Sequence, residues 1–498
     1  MKVDADSALS FANTALTAAK DGVALDITDS DEIFPYMFSI FSIGVGLVPG
    51  VGPLLGSFAG LLGAIAFPKK STDVNAIWNS LRGRVEALIG AKIQASHVNI
   101  LQKNVEGFAS NMEAFTRVLI DYEELTGNDK AKQAETLRIL FNAFLTVLRA
   151  GIPAFQVHEY AVASLPLFTQ AANIHLALLS DGIRNWEAWG FTERYRNDLQ
   201  QQFDRLTVSS SKRIRAAVRD QDEPSDLDTI KECIAIGEAA GWDAKLIDTW
   251  KAALETLSEA TALSRRATLT YPAYAKEYYE KGRTMIKPYT SLWEGSDKGL
   301  SEALALNALS DYDATMIKNV LTYAEFWPYL TGKEMPESAK LALDREIFLG
   351  PYGRYTGGAT WNAKNAPPIT TRGSNITAIK VRSWDNVDAL QVQYGGRWGP
   401  LFGDAKGGAE HQANLAFDEY IQSIDVLHGH KLGQLTFFSN KDKIHGWYGT
   451  DKHARNRTSI KHQGYGLTNM VVTHWEKHVP PGCEGIIFGF RPLLTARG

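Results

Sequence analysis

Only two cysteines occur in 498 residues, Cys233 and Cys483. They lie far apart, in stretches of different composition, so neither a disulfide framework nor a four-ligand zinc site is supported, and stability must come from packing. No excess of charge of either sign stands out: 52 Lys and Arg face 56 Asp and Glu, a net of −4. A nucleic-acid-binding chain would show a basic patch or stripe, so no nucleic acid is expected as a partner. The first residues, Met1-Lys2-Val3-Asp4-Ala5-Asp6, put acidic side chains where a secretory leader needs a basic start and an apolar run. Synthesis in the cytoplasm without a signal peptide is therefore expected. Neither Gly46 nor Gly50 leads into Gly-Lys-Ser/Thr, which argues against a phosphate-cradling loop. His428, His430, His445 and His453 lack the spacing and partner residues of a metal site and read as solvated loop side chains. No Ser or Cys sits in a nucleophile turn, so neither catalysis, a metal nor a cofactor is expected.

Against these absences stand long uncharged runs. From Tyr160 to Ser180 no acidic or basic side chain occurs apart from His175. A helix apolar on nearly every face is buried, in a bundle or in a bilayer, and about 20 such residues suffice to cross hydrocarbon. Pro166, Gln170 and Asn173 argue against a permanent span. A second uncharged run, Ile33 to Pro68, is rich in glycine and is broken by Pro49 and Pro53 into two short helices about a turn. It reads as a buried hairpin or as a membrane hairpin packed through small residues. Between Leu137 and Ile152, Arg138, Asn142, Thr146 and Arg149 recur at spacings of four, four and three, drawing one polar stripe along a helix. That stripe faces water on a surface helix, or a wet lumen if the helix joins the apolar one as an inserted hairpin.

The N-terminal part resembles the pore-forming domain of the insecticidal Cry δ-endotoxins. Its central helix is matched by Gln170-Ala171-Ala172-Asn173-Ile174-His175-Leu176-Ala177-Leu178-Leu179 and the later Trp189-Gly190. Its Pro-Gly turn stands as Pro49-Gly50-Val51-Gly52-Pro53, its next element as Trp78 with Val85 to Ile93, and its sixth helix as Tyr274 to Gly282. The resemblance implies that the family's fourth and fifth helices, here Leu137 to Asp181, insert as a hairpin whose tip is Pro153 to Ala163. Arg138, Asn142, Thr146 and Arg149 would then line the pore, and Gln170, Asn173 and His175 would belong to the central helix. Ala143 stands where relatives often carry an acidic residue, so ion selectivity is not carried over. A seventh helix is expected from about Asp311 to Tyr329, with Leu343 to Phe348 as the strand entering the next domain. The charged segment 209–266 reads as an inserted helical pair.

From Gly350 glycines, aromatics and short alternating runs replace helical periods. Ile376 to Arg382, Ala389 to Tyr394 and Gly433 to Phe438 alternate as half-buried strands. This stretch resembles jacalin-type lectins in Gly350-Pro351-Tyr352-Gly353, Gly357-Gly358, Trp361, Val387 to Gly395, and Leu435-Thr436-Phe437. A β-prism of three sheets is implied. The Gly-x-x-x-Asp sugar turn is missing from the C-terminal residues, so sugar binding is less supported than the fold. Gly357 and Gly358, as backbone approach points, and Trp447 and Tyr448, as stacking faces or core plugs, are the glycan or receptor candidates.

The expected organisation is a helical bundle over residues 1–340 and a jacalin-like β-prism over 341–498, without the Cry β-sandwich third domain. The implied activity is that of a pore-forming toxin acting on target-cell membranes, with a glycan or glycoprotein receptor and homo-oligomerisation in the pore. Lys69-Lys70 and Arg265-Arg266 are candidate activation sites for a trypsin-like protease. A carbohydrate-binding defence or stress lectin without pore activity is the alternative.

Overall fold

The computed structural model describes Phe41, Ala59, 74–208, isolated positions between 231 and 251, 269–286, 298–355, 376–452, 454–462, 464–474 and 483–492. The glycine-rich run about Pro49, most of the 209–266 segment, Gly357, Gly358 and the C-terminal residues 493–498 lie outside the described residues, as do both candidate protease sites.

The described helices are α1 (Val74–Ile89), α2 (Ala95–Glu124), α3 (Gly127–Gly151), α4 (Leu165–Arg184), α5 (Glu193–Thr207), α6 (Tyr271–Met285), α7 (Lys298–Met316), α8 (Thr322–Phe326) and α9 (Glu337–Leu343). In α2 the buried residues Leu101, Val105, Phe108, Met112, Phe115, Leu119 and Tyr122 recur at three- and four-residue steps. That stripe packs on the matching face of α3, where Phe144 meets Phe115. Thr192 and Thr270 open α5 and α6, each side-chain oxygen accepting a backbone N–H one turn in. At the centre lies α4, in which every residue from Leu165 to Ile183 is buried. Its buried polar groups need partners inside the protein.

The expected helix at Asp311 to Tyr329 is longer and less regular. It begins at Lys298, passes through a π-helical turn at Ile317–Leu321 into α8, and ends in a 3-10 turn at Trp327–Tyr329. Its early start escapes a periodicity reading because α7 packs on both the bundle and the first strand, which spreads apolar residues around its circumference. Pro328, lacking an N–H, accounts for the stop. The strand expected from Leu343 is shorter: Leu343 closes α9 and Ile347 opens β1.

The strands are β1 (Ile347–Gly353), β2 (Ile376–Ser383), β3 (Val387–Tyr394), β4 (Arg397–Trp398), β5 (Phe402–Gly403), β6 (Ala409–Asn414), β7 (Ile421–Gly429), β8 (Leu432–Ser439), β9 (Ile444–Gly449), β10 (Ala454–Lys461), β11 (Tyr465–His474) and β12 (Cys483–Pro492). They form three sheets, β1-β12-β11, β10-β7-β8-β9 and β4-β3-β2-β6, with β5 on β3. The first and last strands are antiparallel neighbours, Ile347 opposite Phe490, so the chain closes on itself as a β-prism. Ile379, Val381, Leu390, Ile424, Val426, Leu435, Phe437, Ile486 and Phe488 fill the interior. Helices and prism share a packed junction. Ser310 Oγ donates to Gly350 O at 2.9 Å, Tyr355 N to Gly299 O at 2.9 Å, and Lys318 Nζ lies 3.3 Å from His462 Nδ1.

Candidate functional site: the α3–α4 hairpin and the outer sheet of the prism

The α4 helix is held at the centre by a few polar bonds set in an apolar surround. Trp327 Nε1 donates to Asn173 Oδ1 at 2.7 Å, and Asn173 Nδ2 donates to Gln170 Oε1 at 3.3 Å. His175 Nδ1 lies 3.0 Å from the Tyr271 hydroxyl, whose pKa burial pushes far up, so the phenol stays neutral. Ser180 Oγ donates to Leu330 O at 2.7 Å, and Asp181 accepts Ala59 N at 2.7 Å. Gln170, Asn173 and His175 thus each point into the bundle, and their partners lie on α6, on the Trp327 turn or on α4 itself.

The stripe on α3 lies on the outside of the bundle. Arg138 is half-buried and donates from Nη1 to Trp189 O at 2.8 Å. Asn142, Thr146 and Arg149 are exposed. Asn142 Oδ1 accepts the Tyr195 hydroxyl of α5, while Asn142 Nδ2 and Thr146 Oγ1 bond carbonyls one turn back on α3. The sequence stripe therefore exists as one helix face, and here it meets α5 and water. Its opposite face, with Leu137, Phe141, Phe144, Leu145 and Leu148, is buried. Stretch 127–156, α3 with its 3-10 extension, is long and apolar enough to cross a membrane by length and composition, and less than half of it is buried. Of the uncharged run Tyr160 to Ser180, Tyr160 to Ser164 form turns and the rest lies in α4, Leu165–Arg184.

The tip between the arms is tied down. Ser164 Oγ donates to Phe155 O at 2.7 Å, His97 Nε2 lies 3.0 Å from Ala154 O on the α2 side, and His158 Nδ1 lies 3.4 Å from the Tyr278 hydroxyl on α6.

In the prism, Trp447 and Tyr448 stand on edge strand β9 and face opposite ways. Trp447 is 67% exposed, while Tyr448 turns inward between His411 and Phe437. Of the four histidines, His428 and His445 are strand residues, contrary to a solvated-loop reading; His430 lies exposed in the turn after β7, and His453 lies outside the described residues. His428 on β7 is half-buried with Nε2 2.9 Å from Thr458 Oγ1, and burial lowers its pKa. His445 Nε2 lies 3.0 Å from Glu419 Oε1. Burial alone would raise the pKa of Glu419, but hydrogen bonds from Lys443, His445 and Ala416 N outweigh it and bring it down to about 2. Trp384 and Phe417 are fully or mostly exposed; neither lies in a motif, so nothing in the sequence marks them as surface rings.

The bundle and prism have counterparts among known proteins. Residues 40–220 match the delta endotoxin N-terminal domain, and residues 349–473 match the jacalin-like lectin domain. The chain joins a delta endotoxin N-terminal domain to a jacalin-like lectin domain. Within it, 156 residues are 30% identical to pesticidal crystal protein Cry1Db of Bacillus thuringiensis, covering 31% of this chain and 12% of that protein. A further 33% identity over 140 residues links it to Cry1Ea of Bacillus thuringiensis subsp. kenyae, covering 28% and 11%. The chain thus aligns with only about an eighth of the length of these curated relatives. In fold, it is similar to a Cry1Da tryptic core variant of Bacillus thuringiensis, with TM-score 0.60 at 15% identity over 94% of this chain and 74% of that one. It is also similar to PirB, with TM-score 0.57 at 14% identity over 94% and 96%. The stripe on α3 and the central α4 fall inside the residues that match the delta endotoxin domain, whereas Tyr271, Trp327 and Leu330, to which α4 is tied, lie beyond them; Trp447 and Tyr448 fall inside the residues that match the lectin domain.

Proposed function

We propose that the chain is an insecticidal pore-forming toxin in which the prism, about 341–498, docks on a receptor or glycan of the target cell and the bundle, about 1–340, supplies the membrane-inserting hairpin. The relatives named as pesticidal crystal proteins support this reading. So does one feature of the bundle: a wholly buried apolar helix, α4, paired with a helix whose two faces differ in polarity, α3. Release of residues 137–181 transfers the apolar face of α3 and the surface of α4 from the bundle into lipid. Transfer of apolar surface out of water is worth roughly 25 cal/mol per Å². In the bundle α4 is already dry, so the gain arises only once the bundle has opened to water. A trigger must therefore loosen the tip and the α4 ties first. In the inserted hairpin Arg138, Asn142, Thr146 and Arg149 face the lumen, because a charge in hydrocarbon costs at least about 2.5 kcal/mol. Several copies assemble around that lumen. The activity is non-enzymatic and takes place outside the producing cell, at the target membrane.

Dye release from liposomes containing target gut-membrane extract tests this. The native chain is compared with a variant carrying a cysteine pair that links α3 to α2, against which it packs through Phe115 and Phe144. Release that stops in the linked form and returns on reduction is expected. Binding to those liposomes without release, after protease treatment, would leave a lectin in place of a toxin.

A further inference from the structure

His175 sits near the middle of α4, 3% exposed, with a polar partner on one side of its ring only. Its Nδ1 lies 3.0 Å from the Tyr271 hydroxyl of α6, whose ring is packed by those of Phe168 and Trp327. That hydroxyl has no other acceptor among the described residues, so it donates to Nδ1 and the imidazole is neutral. Nε2 is buried as well and meets no partner among the described residues. An added proton has no place in this arrangement. At Nδ1 it would turn the only acceptor of the phenol into a second donor, and the Nε2–H of the cation would still point at no acceptor.

The surrounding helices supply no counter-charge. Arg149 of α3 is the charge that acts on the imidazole, and it has the sign of the proton itself. The elements packed on α4 besides α3 and α6 are α1, the 3-10 turn Ile152–Gln156, α5, the π-helical turn and α8. Their ionisable groups look elsewhere: Arg82 and Glu86 of α1 pair with each other, Tyr195 of α5 faces Arg149, Lys318 of the π-helical turn reaches His462, and Glu325 of α8 pairs with Arg345. On α4 itself Asp181 and Arg184 lie beyond the next turn, bonded to Ala59 N and Leu330 O. Burial first and Arg149 second bring the pKa of His175 down from 6.5 to about 3. Release of residues 137–181 would free the imidazole from this site. We infer that His175 is a proton-operated latch: the packed bundle holds it neutral, the opened bundle lets it take a proton, and acid therefore favours release of the hairpin. The inference rests on the toxin reading and names the regulation of that hairpin.

An opened histidine takes up its proton near pH 6.5 and the packed one near 3. The packed state thus keeps its full advantage above pH 6.5 and loses about tenfold of it per pH unit below. From pH 7.5 to 5 the opened population should rise about thirtyfold. Amide hydrogen exchange of the full chain, read by mass spectrometry over 165–184 and corrected for the pH dependence of intrinsic exchange, measures that population. Protection of α4 in the native chain should fall about thirtyfold over this range. His175→Asn offers Tyr271 an acceptor that takes no proton, so its protection, whatever its absolute level, should change by less than about threefold. Asp313 and Glu325, whose pKa burial raises, act alike in both chains. Tyr271→Phe removes the same hydrogen bond but keeps the imidazole, and its acid response should remain. Protection indifferent to pH in the native chain, an equal fall in His175→Asn, or a response lost in Tyr271→Phe would overturn the inference. Dye release from the gut-membrane liposomes at pH 7.5 and 5 separately tests the reading beneath it. Release despite a pH-indifferent α4 would remove the latch and leave the toxin. An acid-opened α4 without release at either pH would overturn the toxin reading and leave the proton effect on the bundle.

Discussion

Two residues carry separable energetic roles. Asn173 is a polar side chain in an apolar helix, and its Oδ1 is the acceptor for the buried indole N–H of Trp327. Asn173→Leu keeps the helix apolar but strands that donor, so a loss of about 1–3 kcal/mol is expected in urea unfolding. A loss below about 0.5 kcal/mol would mean that the tie contributes little to holding α4. Glu419 is buried, with its pKa brought down to about 2 from an ordinary 4.5. A lowered carboxylate pKa stabilises the fold above the unfolded value and loses that contribution as pH falls through the folded one. Glu419→Gln should therefore destabilise by about 2 kcal/mol at neutral pH, with the difference from the native chain shrinking between pH 4.5 and 2. Thermal melts across that range check it; a constant difference would place the effect elsewhere.

At the level of elements, α3, α4 and α5 meet where a glycine allows it. A Cβ on Gly182 would fall 2.5 Å from Phe141 Cζ and 2.9 Å from Leu199 Cδ1. Gly182→Ala should wedge α4 away from α3 and α5, costing about 1–3 kcal/mol and speeding any release of the hairpin. Unchanged stability and release kinetics would show that the helices yield freely there. The α3 stripe has a functional counterpart. If Arg138 and Arg149 face the lumen, Arg138→Glu with Arg149→Glu reverses the charge along it and should shift the reversal potential of single channels in planar bilayers toward greater cation selectivity. An unmoved reversal potential would exclude α3 from the lining. The stripe itself was legible in the sequence because its period is that of a helix; its face, packed on Tyr195 and Trp189, was not. Trp447 and Tyr448 were legible only as a pair. Strand alternation at an edge sent one outward and one inward.

For the whole molecule, buried side chains run without a break from α4 through α7 and β1 into the prism. Lys318 and His462, together with Tyr323 and Tyr465, lie wholly inside that junction. Bundle and prism are therefore expected to unfold together. Far-ultraviolet circular dichroism, dominated by helix, and the infrared amide I band of the strands should give one midpoint. Two resolved transitions would show that the halves are energetically independent, and would ease the separation that a membrane-inserting bundle requires.

The sequence by itself determined the order of helix then strand, the buried central helix, the polar stripe beside it and the family likenesses of both halves, because periodicity, charge-free length and local motifs are properties of neighbours along the chain. Tertiary structure decided what lies between distant segments. It set which partners satisfy Gln170, Asn173 and His175, how Lys443 and His445 converge on Glu419, where α7 abandons the α-helical period to serve two neighbours, and which rings reach solvent around β9. Those are contacts across many residues of chain, and burial there depends on what another element covers, which no local pattern encodes.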